Sequence, residues 1–150
     1  MVYREEIRDL FSVPENYFLA HCISGDYALG AGIAVEFNKR FDMRRKLMMD
    51  FPDYWNYMEK NKLTGECILI DNVLNLITKK KYYHKPTYQS MLEAITMMKV
   101  VCKANNIKKV AMPQIGCGLD QLEWDKVSKI ILDVFSGTDI EILVCKLEKK

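Results

Sequence analysis

Two glycine-bearing loops, one lysine and one aspartate carry most of the chemistry this sequence offers. Gly30-Ala31-Gly32 follows an apolar run by a few residues and directly precedes a helical pattern that begins at Ile33. Small residues let a backbone approach a ligand, and a helix start presents unpaired N–H groups with partial positive charge, so this arrangement suits a phosphate. A GxG before a helix is also, and more commonly, a plain turn. Gln114-Ile115-Gly116-Cys117-Gly118-Leu119-Asp120 follows the run that ends at Met112-Pro113 and again leads into a helix. Ligands of open α/β sheets sit at the carboxyl ends of strands, so two such loops facing one crevice suit a diphosphate better than either alone.

Lys79 follows the apolar run that ends at Thr78 and heads Lys79-Lys80-Lys81. A lysine becomes a nucleophile when its ammonium form is disfavoured by burial or by neighbouring cations. The strand end offers the first and Lys80 and Lys81 the second. A solvated turn is the plainer reading of a lysine run, and three lysines without a wider basic face are thin support for a nucleic-acid patch. Asp120 opens Asp120-Gln121-Leu122-Glu123, a capping-box variant, which assigns it a helix N-cap without excluding a chemical role. Cys117 between two glycines imitates a catalytic thiolate, but nothing in the sequence brings His21 or His84 to it. His21 sits inside an apolar strand, where a core histidine is the simpler assignment.

The chain that must position these residues has 150 residues, a net charge of +2, 49% hydrophobic and 28% charged residues. This predicts one globular domain over 1–150, large enough to bury ~68–70% of its unfolded surface without disulfides or metal. The five cysteines (22, 67, 102, 117, 145) form no CxxC, and the two histidines give no zinc spacing. A reducing cytoplasm, or the nucleus of a eukaryotic cell, fits this usage. No apolar run approaches the ~18–20 residues of a membrane span. Met1–Glu6 lacks the basic-then-apolar pattern of a signal peptide.

Apolar runs at Tyr17–Ile23, Glu66–Ile70, Val73–Thr78, Lys109–Met112 and Ile140–Cys145 are nearly continuous, as in strands covered on both faces. Helical faces alternate with them: Ile33, Phe37 and Phe41; Met91, Ile95, Met98 and Cys102; Trp124, Val127, Ile131 and Val134. This predicts an α/β fold with a mainly parallel sheet between helices. Only Asp71-Asn72 separate Glu66–Ile70 from Val73–Ile77, which demands an antiparallel hairpin and makes the sheet mixed. The helix near Tyr88–Ala104 should stop at Asn105-Asn106. Residues 42–63, with Phe51-Pro52-Asp53-Tyr54-Trp55, read as two short helices or a helix and a loop.

Ser24-Gly25-Asp26-Tyr27-Ala28-Leu29-Gly30-Ala31-Gly32-Ile33-Ala34 resembles the first ligand loop of a macrodomain, and Met112–Asp120 resembles its second. Leu76-Ile77-Thr78-Lys79-Lys80 with His84-Lys85-Pro86-Thr87-Tyr88 resembles the terminal ADP-ribose protein glycohydrolase and O-acetyl-ADP-ribose deacetylase branch. The resemblance runs from about Ile7 to Leu147. It implies a three-layer α/β/α sandwich with an ADP-ribose cleft at the strand ends. It also implies a lysine nucleophile at Lys79 for the anomeric carbon of the distal ribose, Asp120 for the proton, and neither metal nor cofactor. Asp9 and Leu10 match the adenine side, Ser24 a cleft serine, Leu147 a leucine near the adenosine. Gly30, Ala31, Gly32 and Ile33, with Gln114, Ile115, Gly116, Cys117, Gly118 and Leu119, match the loops around diphosphate and distal ribose. The family usually has Gly where this chain has Arg8. The implied activity is hydrolysis of ADP-ribose from acidic protein side chains and deacetylation of O-acetyl-ADP-ribose, by a monomer with no membrane partner. The alternatives are a non-catalytic ADP-ribose-binding module and an antitoxin-like hydrolase of ADP-ribose on thymidine in DNA.

Overall fold

The computed structural model describes residues 1–52 and 64–147. Its strands are β1 (Val2–Ile7), β2 (Phe18–Ser24), β3 (Glu66–Ile70), β4 (Val73–Lys79), β5 (Lys109–Met112) and β6 (Glu141–Lys146). Its helices are α1 (Ile33–Phe41), α2 (Met43–Asp50), α3 (Tyr88–Ala104) and α4 (Trp124–Phe135), with one 3-10 turn at Leu10–Ser12. The strands form one sheet in the order β1-β6-β5-β2-β4-β3. Five run parallel, and β3 pairs antiparallel with β4 through the expected hairpin, with Asp71 at φ 51° in its turn.

The apolar periodicities translate into two cores. On one face, Met91, Ile95, Met98 and Cys102 of α3 and Val127, Ile131 and Phe135 of α4 pack on Leu74, Leu76, Val110 and Val144. On the other, Phe37 of α1 and Met43 and Leu47 of α2 pack on Leu19, Ile23, Val73, Ile77 and Leu143. Helices thus cover both faces, giving the three-layer α/β/α sandwich. The long helix α3 is held at its start by a capping box, Thr87 Oγ1 accepting from Ser90 N and Ser90 Oγ from Thr87 N. It ends at Asn105, with Asn106 in the left-handed region at φ 55°.

Two features differ from the sequence reading. The strand β1 was not expected; it lies at the edge of the sheet, and its central Arg4, Glu5 and Glu6 hide the pattern of a buried strand. The helix after the second glycine loop begins at Trp124, with Glu123 rather than Asp120 at the N-cap and no side-chain cap. Gln121 at φ 66° turns the chain first, and Leu122 N returns to Gly116 O. Of the segment 42–63, residues 43–50 form α2, preceded by Asp42 in the left-handed region. Residues 53–63 lie outside the described ones.

Candidate active site

The topology sets where a ligand can sit. From β2 the chain crosses towards β4 and β3, whereas from β5 it crosses the other way to β6, and β2 and β5 are neighbours. The helices leaving these two strands therefore diverge, and a crevice opens at their carboxyl ends. The loop 25–32 leaves β2 and the loop 113–123 leaves β5, so both glycine loops line that crevice. They approach closely: a Cβ on Gly32 would lie 3.6 Å from Leu119 Cδ1.

Each loop holds its shape for an identifiable reason. Gly32 precedes α1 at φ 61°, ψ −150°, a region essentially closed to other residues. Gly30 and Ala31 are exposed before it, and Ile33 is half-buried as α1 begins. Ser24 is buried, and its Oγ donates to Asp26. Gly116 sits at φ 75°, where a Cβ would press within 3.2 Å of Leu122 Cδ1 and 3.3 Å of Met91 Cε. Gly118 lies outside the left-handed region and has open space around it, so a side chain there would meet nothing in the protein. Gln114 and Cys117 are half-buried, Ile115 is in the core, and Leu119 is 63% exposed.

Lys79 is the last residue of β4, beside the exit of β2. Its Nζ donates to Asp120 Oδ1 at 2.8 Å, and both side chains are only 16% exposed. The group in contact with the Lys79 ammonium is the Asp120 carboxylate, a partner the sequence reading did not assign to it. The turn that keeps Asp120 out of α4 frees its carboxylate for this pair. The two residues that the resemblance assigns to nucleophile and proton acceptor thus stand in contact at the carboxyl end of β4.

Asp26 lies in the first loop, and the sequence assigns it no role. Its Oδ1 accepts from Ser24 Oγ and from Ala28 N at 3.2 Å, and its Oδ2 accepts from Tyr82 N at 3.0 Å. Gly25 N and Asp26 N donate to Lys79 O and Lys80 O at 2.9 and 3.1 Å. The first loop is thereby stitched to the backbone that carries Lys79. An aspartate just beyond a strand, able to bond backbone groups two residues on, was the available signal.

Asp9, Leu10 and Leu147, which the resemblance assigns to the adenine side, also follow the carboxyl ends of strands, those of β1 and β6. Asp9 is exposed, caps the 3-10 turn and accepts from Phe11 N at 3.0 Å. The Leu10 side chain is buried in the core. Leu147 follows β6, is 88% exposed, and neighbours this turn through Arg8 N donating to Lys146 O at 3.2 Å. Four strand spacings separate β1 from β4, about 19 Å, so a ligand touching both ends must be elongated.

The cysteine alternative lacks its base. Burial pushes the Cys117 thiol up to about 11. His21 is fully buried, stacked on Phe37 with centroids 3.8 Å apart, its Nε2 bonded to Asn75 Oδ1 at 2.6 Å. His84 is exposed and packs against Tyr83. Among the described residues no three His, Cys, Asp or Glu side chains converge as metal ligands, and no helix is long and apolar enough to cross a membrane.

A mixed-sheet α/β/α sandwich with two glycine loops over its strand ends is the class of fold, and the chain belongs to the Macro domain family, whose sequence pattern matches residues 55–131. It is 41% identical over 143 residues to ADP-ribose glycohydrolase OARD1 of Homo sapiens, covering 93% of this chain and 88% of that one. The macrodomain of Mycobacterium tuberculosis DarG shares the fold, with TM-score 0.79 at 19% identity over 99% of both chains. Thermosipho africanus DarTG in complex with ADP-ribose does so with TM-score 0.70 at 20% identity, over 94% of this chain and 40% of that one.

Proposed function

We propose that this protein is an ADP-ribosyl hydrolase that removes ADP-ribose from acidic protein side chains and deacetylates O-acetyl-ADP-ribose. The observation that carries the reading is the Lys79–Asp120 contact at the mouth of the crevice. The 41% identity to an ADP-ribose glycohydrolase supports the same activity. The diphosphate lies against the N–H groups of the loops at Gly30–Ile33 and Gln114–Leu119, where a helix start favours negative charge. The adenosine extends towards Asp9, the backbone of Leu10 and Leu147, and the distal ribose reaches Lys79.

Asp120 takes a proton from the Lys79 ammonium. The free amine attacks the anomeric carbon, a C–N bond forms, and the anomeric C–O bond breaks with its electrons leaving on the acceptor's carboxylate. Water then cleaves the C–N bond with Asp120 moving the proton, which releases ADP-ribose and restores the lysine. A module that only binds ADP-ribose has no use for this pair, which favours the enzyme. The test supplies a protein ADP-ribosylated on glutamate, O-acetyl-ADP-ribose and a thymidine-ADP-ribosylated oligonucleotide side by side. Turnover of the first two is expected. Turnover of the oligonucleotide alone makes the protein DNA-directed, and tight binding of ADP-ribose without turnover makes it a binding module.

A further inference from the structure

The segment His84-Lys85-Pro86-Thr87-Tyr88 takes no part in the chemistry proposed above, yet it touches the loop of Asp120 on both sides. Lys85 Nζ donates to Leu119 O at 2.6 Å, one residue before Asp120. Tyr88 Oη accepts from Glu123 N at 3.1 Å, three residues after it. We infer that Lys85 and Tyr88 are positioning residues that clamp residues 119–123 and so fix the Asp120 carboxylate against the Lys79 amine. This rests on the roles proposed for Lys79 and Asp120.

Gln121 N donates to Gly118 O and Leu122 N to Gly116 O, and Leu122 packs on the core, so the clamp adds a hold at each end of the stretch, at Leu119 and at Glu123. Leu119 is 63% exposed, Gly118 meets nothing within 4 Å, and Gln121 is held at φ 66°. The hydrogen bonds of α4 begin only at Glu123 O, which accepts from Lys126 N and Val127 N at 3.1 Å. The clamp itself stands on firm ground. Pro86 is buried and restricts the backbone of Lys85 to extended conformations. Thr87 is the N-cap of α3 with its capping box formed, and Met91, Ala94, Ile95, Met98 and Cys102 of that helix are fully buried. Lysine suits the first contact because an ammonium–carbonyl hydrogen bond is charge-assisted and stronger than a neutral one. Tyrosine suits the second because its ring also lies under Lys126 Nζ, 5.2 Å from the centroid, which steadies the hydroxyl.

Lys85→Met keeps the aliphatic stem and removes the donor; Tyr88→Phe keeps the ring and removes the acceptor. A displacement of about 1 Å at a reacting group costs on the order of a hundredfold in rate. With a peptide ADP-ribosylated on glutamate, each variant is expected to lose between about tenfold and a hundredfold in kcat. KM, and ADP-ribose affinity by calorimetry, should stay within about threefold of wild type. Lys85→Arg, which restores a cationic donor, should recover most of kcat. Wild-type kcat in Lys85→Met and Tyr88→Phe, while Asp120→Asn is impaired, would overturn the clamp and leave the proposed chemistry standing. So would a loss confined to KM, which would make Lys85 a substrate contact. Wild-type turnover by Asp120→Asn would overturn the proposed chemistry, and the clamp with it.

Discussion

Acidification from pH 7 to pH 5 is expected to cost the fold about 2 kcal/mol through His21 alone. The imidazole is fully buried between Phe37 and the sheet, its Nε2 bonded to Asn75 and its Nδ1 without a partner. Burial lowers its pKa from 6.5 to about 4, opposed by the hydrogen bond with Asn75. The fold therefore favours the neutral ring. As pH falls, the unfolded chain takes up the proton first, so stability is complete above about pH 6.5 and is lost progressively down to about pH 4. The full difference of about 2.5 units is worth about 3 kcal/mol, of which about 2 has gone by pH 5. Urea unfolding at a series of pH values measures the slope. His21→Phe keeps a ring on Phe37 with nothing to protonate, so its stability should fall less steeply over the same range. Equal slopes for the two proteins, or an NMR titration of His21 near 6.5, would refute the reasoning.

Gly32→Ala should lower the melting temperature and weaken ADP-ribose binding, because φ 61°, ψ −150° strains any side chain by about 1–3 kcal/mol. Gly118→Val should leave the melting temperature unchanged, since its Cβ meets nothing, yet weaken ADP-ribose binding by calorimetry; unchanged affinity would take this loop out of the ligand's path. Cys117→Ser should retain most turnover, because burial holds the thiol at about 11 and no histidine adjoins it; a hundredfold loss would make the cysteine the nucleophile.

The sheet interior was legible because β2, β4, β5 and β6 are covered on both faces and so read as continuous apolar runs. The hairpin was legible because two residues leave no other connection. The strand β1 was not: its outward charges serve an exposed edge, and parallel pairing with β6 brings together residues at opposite ends of the chain. At the site, the glycine loops showed themselves by composition and position, and Lys79 by standing at a strand end. Asp120 was read as a cap because its spacing to Glu123 imitates one. Only the turn at Gln121, which no sequence pattern announces, delays the helix and hands the carboxylate to Lys79. Asp26, Lys85 and Tyr88 act through backbone partners distant in sequence, and such contacts leave no spacing to read.

The most direct measurement is the turnover of glutamate-linked ADP-ribose by Lys79→Ala, with ADP-ribose affinity and melting temperature determined on the same preparation. Binding from the loops and the adenosine end should remain within about tenfold of wild type, about 1.4 kcal/mol, while hydrolysis is lost. Lys79→Arg should fail equally, since a guanidinium keeps its proton and cannot attack. Near-wild-type turnover by a folded Lys79→Ala protein would contradict the account and leave the loops and Asp120 to carry the reaction without a lysine nucleophile.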